Sequence, residues 1–173
     1  TNISLYGLND KIDVRCGNGL EIIKDSEIID TIIISGMGGL LTIDVLKSNE
    51  KAVKNANQLI LQPQRDIEKV RAYLHSINYK IINEEMLMES GKYYTIINAV
   101  KGSDEEYSEI EYYFGKFLLN KKSAVLKKFI DHEYKKINIV LDNISNNAVE
   151  NADKRISQLK HLKSLYEEAL KCL

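Results

Sequence analysis

The chain has 173 residues, of which 44% are hydrophobic and 28% are charged, and its formal net charge is -1. This composition excludes a disordered chain, because it holds enough apolar material for a hydrophobic core. The small net charge excludes a broadly basic protein, so any surface for nucleic acid has to be local. No apolar run is long enough to cross a bilayer, and the first residues do not resemble a secretion signal. We therefore expect a cytoplasmic protein with no membrane partner.

Cysteine and histidine spacing does not indicate a metal centre. Cys16 and Cys172 lie far apart, and the three histidines lie in helical patterns without a second ligand at metal-binding spacing. We expect reduced thiols, no metal, and no catalytic triad.

The first half of the chain predicts a mixed α/β sheet. Apolar runs predict strands in KIDVRCG, DTIIIS, QLILQ, KIINEEMLM and KYYTIINAV, in that order. DTIIIS is rich in β-branched residues, as expected for a strand buried on both faces of a parallel sheet. A helical repeat in RDIEKVRAYLHSI favours right-handed parallel crossovers, whereas ESG between the last two strands predicts an antiparallel hairpin.

Beyond Gly102 the sequence becomes rich in lysine and has a helical repeat. The acidic stretch GSDEEYSEIE is typical of a linker. Two apolar stripes follow, formed by Leu126, Ile130, Ile137, Leu141 and Ile144 and then by Ile156, Leu159, Leu162, Tyr166 and Leu170. Because SNNAVENAD between them suits a turn, we expect an antiparallel helical hairpin packed as a short coiled coil. The predicted division is 1–102 for the α/β domain and 103–173 for the linker and hairpin.

Three turns at predicted strand ends are candidate binding segments. In RCGNGLEII, Gly17 and Gly19 flank Asn18, whose amide suits either an adenine edge or the cap of an ordinary turn. In ISGMGG, glycines at the carboxyl end of a strand leave room for a flat ligand, or allow tight packing. The spacing fits neither a P-loop nor a dinucleotide fingerprint. In LILQPQ, Gln62 and Pro63 suit either contact with a base or a turn before a helix.

Lysines are concentrated at the start of the second half. Residues 116–136 contain seven lysines and two acidic residues, an excess of five positive charges. Such a run forms either a solvated helix face or a surface that contacts RNA phosphates. The lysines that we consider for phosphate contact are Lys121, Lys122, Lys127 and Lys128.

VRCGNGLEII, ISGMGG, LILQPQ and ESGKYYTI occur in this order and precede FGKFLLNKK and the hairpin. Together they resemble the bacterial tRNA adenine-N1 methyltransferases of the TrmK type, which modify adenine 22. The resemblance covers essentially the whole chain, and GMGG followed by LQP is its most specific part. It implies a Rossmann-like methyltransferase domain with a C-terminal helical hairpin, S-adenosylmethionine as methyl donor, and tRNA as partner.

The resemblance also implies a set of site residues. The cofactor would be bordered by Gly17, Asn18, Gly19, Leu20, Ser35, Gly36 and Met37. The substrate would be bordered by Gly38, Gly39, Gln62 and Pro63. The charge excess adds Lys121, Lys122, Lys127 and Lys128 as candidates for contact with its phosphates. The family usually has Asp at the position of Asn18 and Asn at that of Gln64.

Family members begin with two strands and an acidic, glycine-containing loop for the methionine portion of the cofactor, and none of these is found in this sequence. Thr1 to Leu8 resemble the end of the helix that follows the second strand. We therefore expect a truncated form that does not bind the cofactor usefully and is inactive by itself as a methyltransferase. The implied strand order of 3-2-1-4-5-7-6 makes KIDVRCG strand 3 and DTIIIS strand 4.

Adenine N1 carries a lone pair, so no strong base is required and we assign no catalytic residue. Catalysis would depend on alignment and polar stabilisation, and the adenine has to leave its stack first. Two alternatives stay open: a non-catalytic RNA-binding module, and an α/β enzyme for another nucleotide whose hairpin serves dimerisation.

Overall fold

A computed structural model describes residues 2–146 and 153–173. Its strands are β1 (Thr31–Met37), β2 (Gln58–Pro63), β3 (Tyr79–Glu89) and β4 (Lys92–Lys101). Its helices are α1 (Asn2–Leu5), α2 (Gly39–Lys47), α3 (Glu50–Asn55), α4 (Ile67–Ser76), α5 (Glu109–Phe114), α6 (Lys116–Asn120), α7 (Ala124–Asn146) and α8 (Asp153–Cys172). Within these ranges, no helix is both long and apolar enough to cross a membrane.

The four strands form one mixed sheet in the order β1-β2-β4-β3. β1 and β2 are parallel, and β4 is antiparallel to both of its neighbours. This confirms the 4-5-7-6 part of the predicted order. Ser90 and Gly91 connect β3 to β4 and have φ values of 49° and 76°. Two successive positive φ angles are typical of the tight turn that matches the twist of a hairpin.

The prediction of a strand in KIDVRCG was wrong. Residues 11–17 have no regular secondary structure, and only a 3-10 turn, Gly19–Ile22, follows them. The alternation of apolar residues is present, but a strand also requires a neighbour to pair its backbone groups. Among the described residues, β1 pairs only with β2 and no strand pairs with residues 11–17.

The main hydrophobic core lies on one face of the sheet. Ile32 and Ile34 of β1 pack there with Leu46, Val70 and other apolar residues of α2 to α4. Ile33 points to the opposite face and is 67% exposed. The expectation that β1 is buried on both faces was therefore wrong, because the helices that contribute to this core cover one face only.

Helices α7 and α8 form the predicted hairpin, with a second hydrophobic cluster between them. The Tyr134 hydroxyl donates to a Glu167 carboxylate oxygen at 2.8 Å. These residues lie 12 positions before the end of α7 and 14 positions after the start of α8, so the helices are antiparallel. Coiled-coil packing stays a prediction. The turn predicted in SNNAVENAD lies, from residue 147 to residue 152, outside the described residues.

The acidic stretch predicted as a linker is more ordered than that term implies. The Tyr107 side chain is 4% exposed and belongs to the core beside the sheet. Ser108 and Glu111 form a reciprocal capping box at the start of α5, which satisfies donors that a helix N-terminus otherwise leaves free.

A buried ion pair connects α4 to the sheet and to α5. Arg71 Nε of α4 donates to Glu84 Oε1 of β3 at 2.7 Å, and the two side chains are 1% and 0% exposed. Arg71 Nη1 also donates to the carbonyl oxygens of Tyr112 and Tyr113, at 2.7 Å and 3.1 Å. Gly115, between α5 and α6, has a φ of +91° and approaches the pair so closely that a Cβ there would lie 2.5 Å from Glu84 Oε2.

Candidate active site

The carboxyl ends of β1 and β2 bring two of the predicted motifs together. Ser35 pairs with Gln62, and Met37 pairs with Pro63 after an irregularity in the register. The Gly36 N–H donates to Gln62 Oε1 at 2.9 Å. ISGMGG and LQP therefore form one edge of the sheet, the location where α/β folds bind ligands.

The glycines of this edge have different surroundings. Gly36 has a φ of +78°, and a Cβ built on it would meet nothing within 4 Å. A Cβ on Gly38 would lie 3.1 Å from Arg65 Nε, which belongs to a flexible side chain. A Cβ on Gly39 would lie 2.5 Å from the backbone oxygen of Arg65. Gly36 thus leaves open space, whereas Gly39 serves the close packing of α2 on the segment before α4.

The side-chain amide of Gln62 has a hydrogen-bond partner at its oxygen but none at its nitrogen among the described residues. Its Oε1 accepts from Gly36, which fixes Nε2 as the other end of the amide. Nε2 is buried and has no hydrogen-bond partner among the described residues. A buried donor without a partner is costly, and such a group calls for an explanation. A ligand acceptor at this edge would provide one.

RCGNGLEII packs against α2 and the start of α3. A Cβ on Gly19 would lie 3.0 Å from Val45 of α2, and Asn49 Nδ2 donates to the Leu20 carbonyl at 3.2 Å. Asn18 Nδ2 donates to Glu21, and the Asn18 side chain does not cap the 3-10 turn. The segment is therefore held against α2 and the start of α3. A Cβ on Gly17 would overlap the Ile22 side chain.

The four candidate lysines divide into two groups. Lys121 Nζ donates to Asn83 Oδ1 at 2.8 Å and to Glu85 Oε1 at 2.6 Å, and this contact lowers the pKa of Glu85. Lys121 thus connects α6 to β3 and is already paired. Lys122, Lys127 and Lys128 are exposed, and no carboxylate of the described residues forms an ion pair with them.

Arg65 is a candidate that the sequence analysis missed. It lies directly after QPQ, is exposed, and has no ion-pair partner within the described part of the chain. Only its position next to LQPQ could have singled it out, because a single arginine before a helix is common. No group of three or more potential metal ligands occurs among the described residues.

Comparison with known proteins gives a consistent result. The family model described as "TrmK: tRNA (adenine(22)-N(1))-methyltransferase" matches residues 1–167. The tRNA (adenine(22)-N(1))-methyltransferase of Bacillus subtilis is 34% identical over 170 residues, which cover 95% of this chain and 71% of that protein.

Solved structures agree with the fold. An uncharacterised Listeria monocytogenes protein superposes with a TM-score of 0.91 and 33% identity, covering 97% of this chain and 74% of that one. The crystal structure of Bacillus subtilis TrmK gives a TM-score of 0.85 and 32% identity, with the same coverages of 97% and 74%. Streptococcus pneumoniae Sp1610, solved in complex with S-adenosyl-L-methionine, gives a TM-score of 0.86 and 28% identity, covering 98% of this chain and 73% of that one.

Proposed function

The chain belongs to the tRNA (adenine(22)-N(1))-methyltransferase family, and from this premise we propose that the intact protein methylates N1 of an adenine in tRNA at the joined ends of β1 and β2. Members of this family are S-adenosylmethionine-dependent enzymes. The single observation that carries the assignment of the site is the Gly36–Gln62 hydrogen bond, which leaves the buried Gln62 Nε2 without a partner among the described residues, next to a glycine with open space at its Cβ position.

The residues of this edge suit the cofactor and the target base. Ser35, Gly36 and Met37 are exposed at the end of β1, and glycine at position 36 leaves the approach clear. We assign them, with Gly17, Asn18, Gly19 and Leu20 along α2, to the cofactor side. Gly38, Gln62 and Pro63 are assigned to the adenine. Gly39 is reassigned from substrate contact to packing, because its surroundings leave no room for a ligand.

When bound, S-adenosylmethionine supplies a methyl group activated by an adjacent sulfonium. Neutral adenine N1 already has the lone pair that accepts this group, so the chain does not have to remove a proton. Gln62 Nε2 is a donor, and a donor on N1 itself would block the lone pair. It therefore suits another ring nitrogen of the adenine, such as N7, and would hold the base with N1 free. Orientation of this kind can supply a large part of a catalytic effect.

The second half of the chain would hold the tRNA. We propose that residues 1–102 carry the methyl-transfer site and that residues 103–173 provide phosphate contacts. Lys122, Lys127 and Lys128 are the lysines that support this proposal, since they are exposed and unpaired by carboxylates of the described chain. Lys121 is reassigned from phosphate contact to a structural role, because its ammonium group donates to three oxygen atoms of β3.

The test is methyl transfer from radiolabelled S-adenosylmethionine to unmodified tRNA by the full-length protein, with Gln62→Leu as the variant. Loss of the group that orients the adenine should lower kcat by about a hundredfold. Gln58→Leu is the matched control, because Gln58 lies four residues away on the same face of β2 and donates to Asn98 at 2.8 Å. Equal kcat values for the parent and Gln62→Leu would contradict the role of Gln62. Tight tRNA binding without methyl transfer by the parent would instead favour a non-catalytic RNA-binding module.

A further inference from the structure

A cavity of about 260 Å³ lies between the segment that follows LQP and the helical hairpin. The segment contributes Gln64, Arg65 and Asp66, and the sheet contributes Met86, Tyr93 and Thr95. Five aromatic rings line it: Tyr93, Tyr113, Phe114, Phe129 and Tyr166. Tyr93 and Phe129 meet edge to face with their centroids 5.3 Å apart. The cavity therefore has walls from both halves of the chain.

Arg65 separates this cavity from the candidate active site. On one side, its carbonyl accepts from Gly39 N–H at 2.8 Å and its Nε lies 3.1 Å from where a Gly38 Cβ would be. On the other side, it lines the cavity. Its guanidinium is exposed and forms no ion pair with the described residues. Arg71, the other arginine of the cavity, is fully committed to Glu84 and two carbonyl oxygens.

We propose that Arg65 and this cavity form a second nucleotide site, which takes the base next to the target adenine in the same RNA strand. This inference rests on the function proposed above. Arg65 would hold the phosphate that joins the two nucleotides, because a guanidinium offers a planar fork of donors suited to phosphate oxygens.

The chemistry of the cavity suits a nucleobase. Single-stranded RNA is commonly recognised by stacking of its bases on aromatic side chains, and an adenine that leaves its stack exposes its neighbour as well. The cavity is smaller than the range of about 300–1,000 Å³ that holds drug-sized ligands, so it suits one ring system. Arg65 borders both the cavity and the proposed methyl-transfer edge, and this shared residue selects a base of the same strand over a separate small molecule.

The experiment uses tRNA with 2-aminopurine at the nucleotide immediately before or immediately after the target adenine, and a third tRNA with the probe in the anticodon loop. Binding of the full-length parent protein should change the fluorescence of one flanking probe and leave the anticodon probe unaffected. Phe129→Ala and Tyr93→Ala should abolish most of that change and raise KM for tRNA about tenfold with kcat retained.

Tyr94→Ala is the matched control, because Tyr94 is the next residue of β4 and points to the opposite face. It should retain the parental fluorescence change. Arg65→Ala should weaken tRNA binding and reduce its salt dependence by about one phosphate contact, and Arg65→Lys should restore part of the affinity. Arg65 is exposed, so these two variants test the site even if a cavity variant fails to fold.

Two results would overturn the inference. The first is that a parent protein that methylates tRNA changes the fluorescence of neither flanking probe, and the second is that Phe129→Ala and Arg65→Ala behave as the parent does. In either case no second nucleotide site exists, and the proposed function still stands. Absence of methyl transfer by the parent would overturn both.

Discussion

Glu84→Gln should be the most destabilising polar substitution in this fold. Glu84 and Arg71 are fully buried, and the Glu84 carboxylate neutralises the Arg71 guanidinium at 2.7 Å. Glutamine keeps the shape of the side chain but removes its charge. Arg71 would keep the carbonyl oxygens of Tyr112 and Tyr113 as acceptors, yet its positive charge would be buried without a counter-ion.

Removing one partner of a buried ion pair costs about 3–5 kcal/mol, because the remaining charge stays desolvated. That is a large share of the roughly 5–15 kcal/mol by which a domain is stable. With a urea m-value of about 2 kcal/mol/M, the unfolding midpoint should fall by about 1.5–2.5 M. Replacing both partners, as in Arg71→Met with Glu84→Leu, should cost much less than the sum of the two single changes, since apolar residues fill the same space without a charge.

The assay is equilibrium unfolding in urea, followed by circular dichroism, of the parent, the two single variants and the double variant. A loss below about 1 kcal/mol for Glu84→Gln, or additive losses in the double variant, would refute the argument that the pair stabilises through mutual neutralisation. Gly115→Ala tests the pair independently, because its Cβ would lie 2.5 Å from Glu84 Oε2 at a φ of +91°. Gly91→Ala is its control, with a similar φ of +76° but open space around it. Gly115→Ala should lower Tm clearly more than Gly91→Ala.

Three further predictions concern function and pH. Gly38→Val places a branched side chain beside flexible Arg65, so it should reduce the methylation rate while leaving the urea midpoint within about 0.5 M of the parent's; a parental rate would show that this turn does not border the substrate. Replacing Lys122, Lys127 and Lys128 together by Ala should weaken tRNA binding and reduce its dependence on salt by about two to three phosphate contacts. A filter-binding titration measures this, and an unchanged affinity would contradict the prediction. Burial lowers the pKa of His75 below its ordinary value of 6.5. As pH falls, the His75 imidazole is therefore protonated in the unfolded chain before it is protonated in the folded one, and stability should fall as pH drops below 6.5. In urea titrations between pH 7 and about pH 5, His75→Gln should show a shallower fall than the parent, and equal slopes would contradict this.

The elements that the sequence predicted correctly are those with a local pattern strong enough to decide their structure. The β-branched run of β1, the helical repeat of α4 and the turn at Gly91 each specify their own conformation. KIDVRCG also has the alternation of a strand, but a strand depends on partners that its own residues do not supply. The prediction that Ile33 is buried was wrong for the same reason. A β-branched run shows a preference for apolar surroundings, but it does not show whether a second layer of the protein covers that face.

The candidate site was predictable where strand order alone determined it. Once β1 and β2 are parallel neighbours, their carboxyl ends must meet, and ISGMGG and LQP follow them. The unpaired end of the Gln62 amide was not predictable, because it results from a bond to a backbone N–H 26 residues away. The pairing of Lys121 with β3 likewise depends on how α6 packs, which no charge count along the chain reveals.

Helix α4 connects the sheet to α5, which precedes the hairpin in the chain. It begins at Ile67, just after the segment that borders the candidate active site, and reaches Arg71 about 6 Å further along its axis. Arg71 holds the carbonyl oxygens at the end of α5, where the chain turns towards the hairpin. The proposed phosphate contacts on α7 are therefore linked to the proposed methyl-transfer edge through this helix and its ion pair, in addition to the direct packing of Phe129 of α7 on Tyr93 of β4. Because the pair joins α4, β3 and the end of α5, breaking it should loosen α5 and, through α5, the start of the hairpin relative to Gln62. Variants of Arg71 or Glu84 that still fold should consequently lose alignment of the target adenine, and hence kcat, before they lose affinity for tRNA.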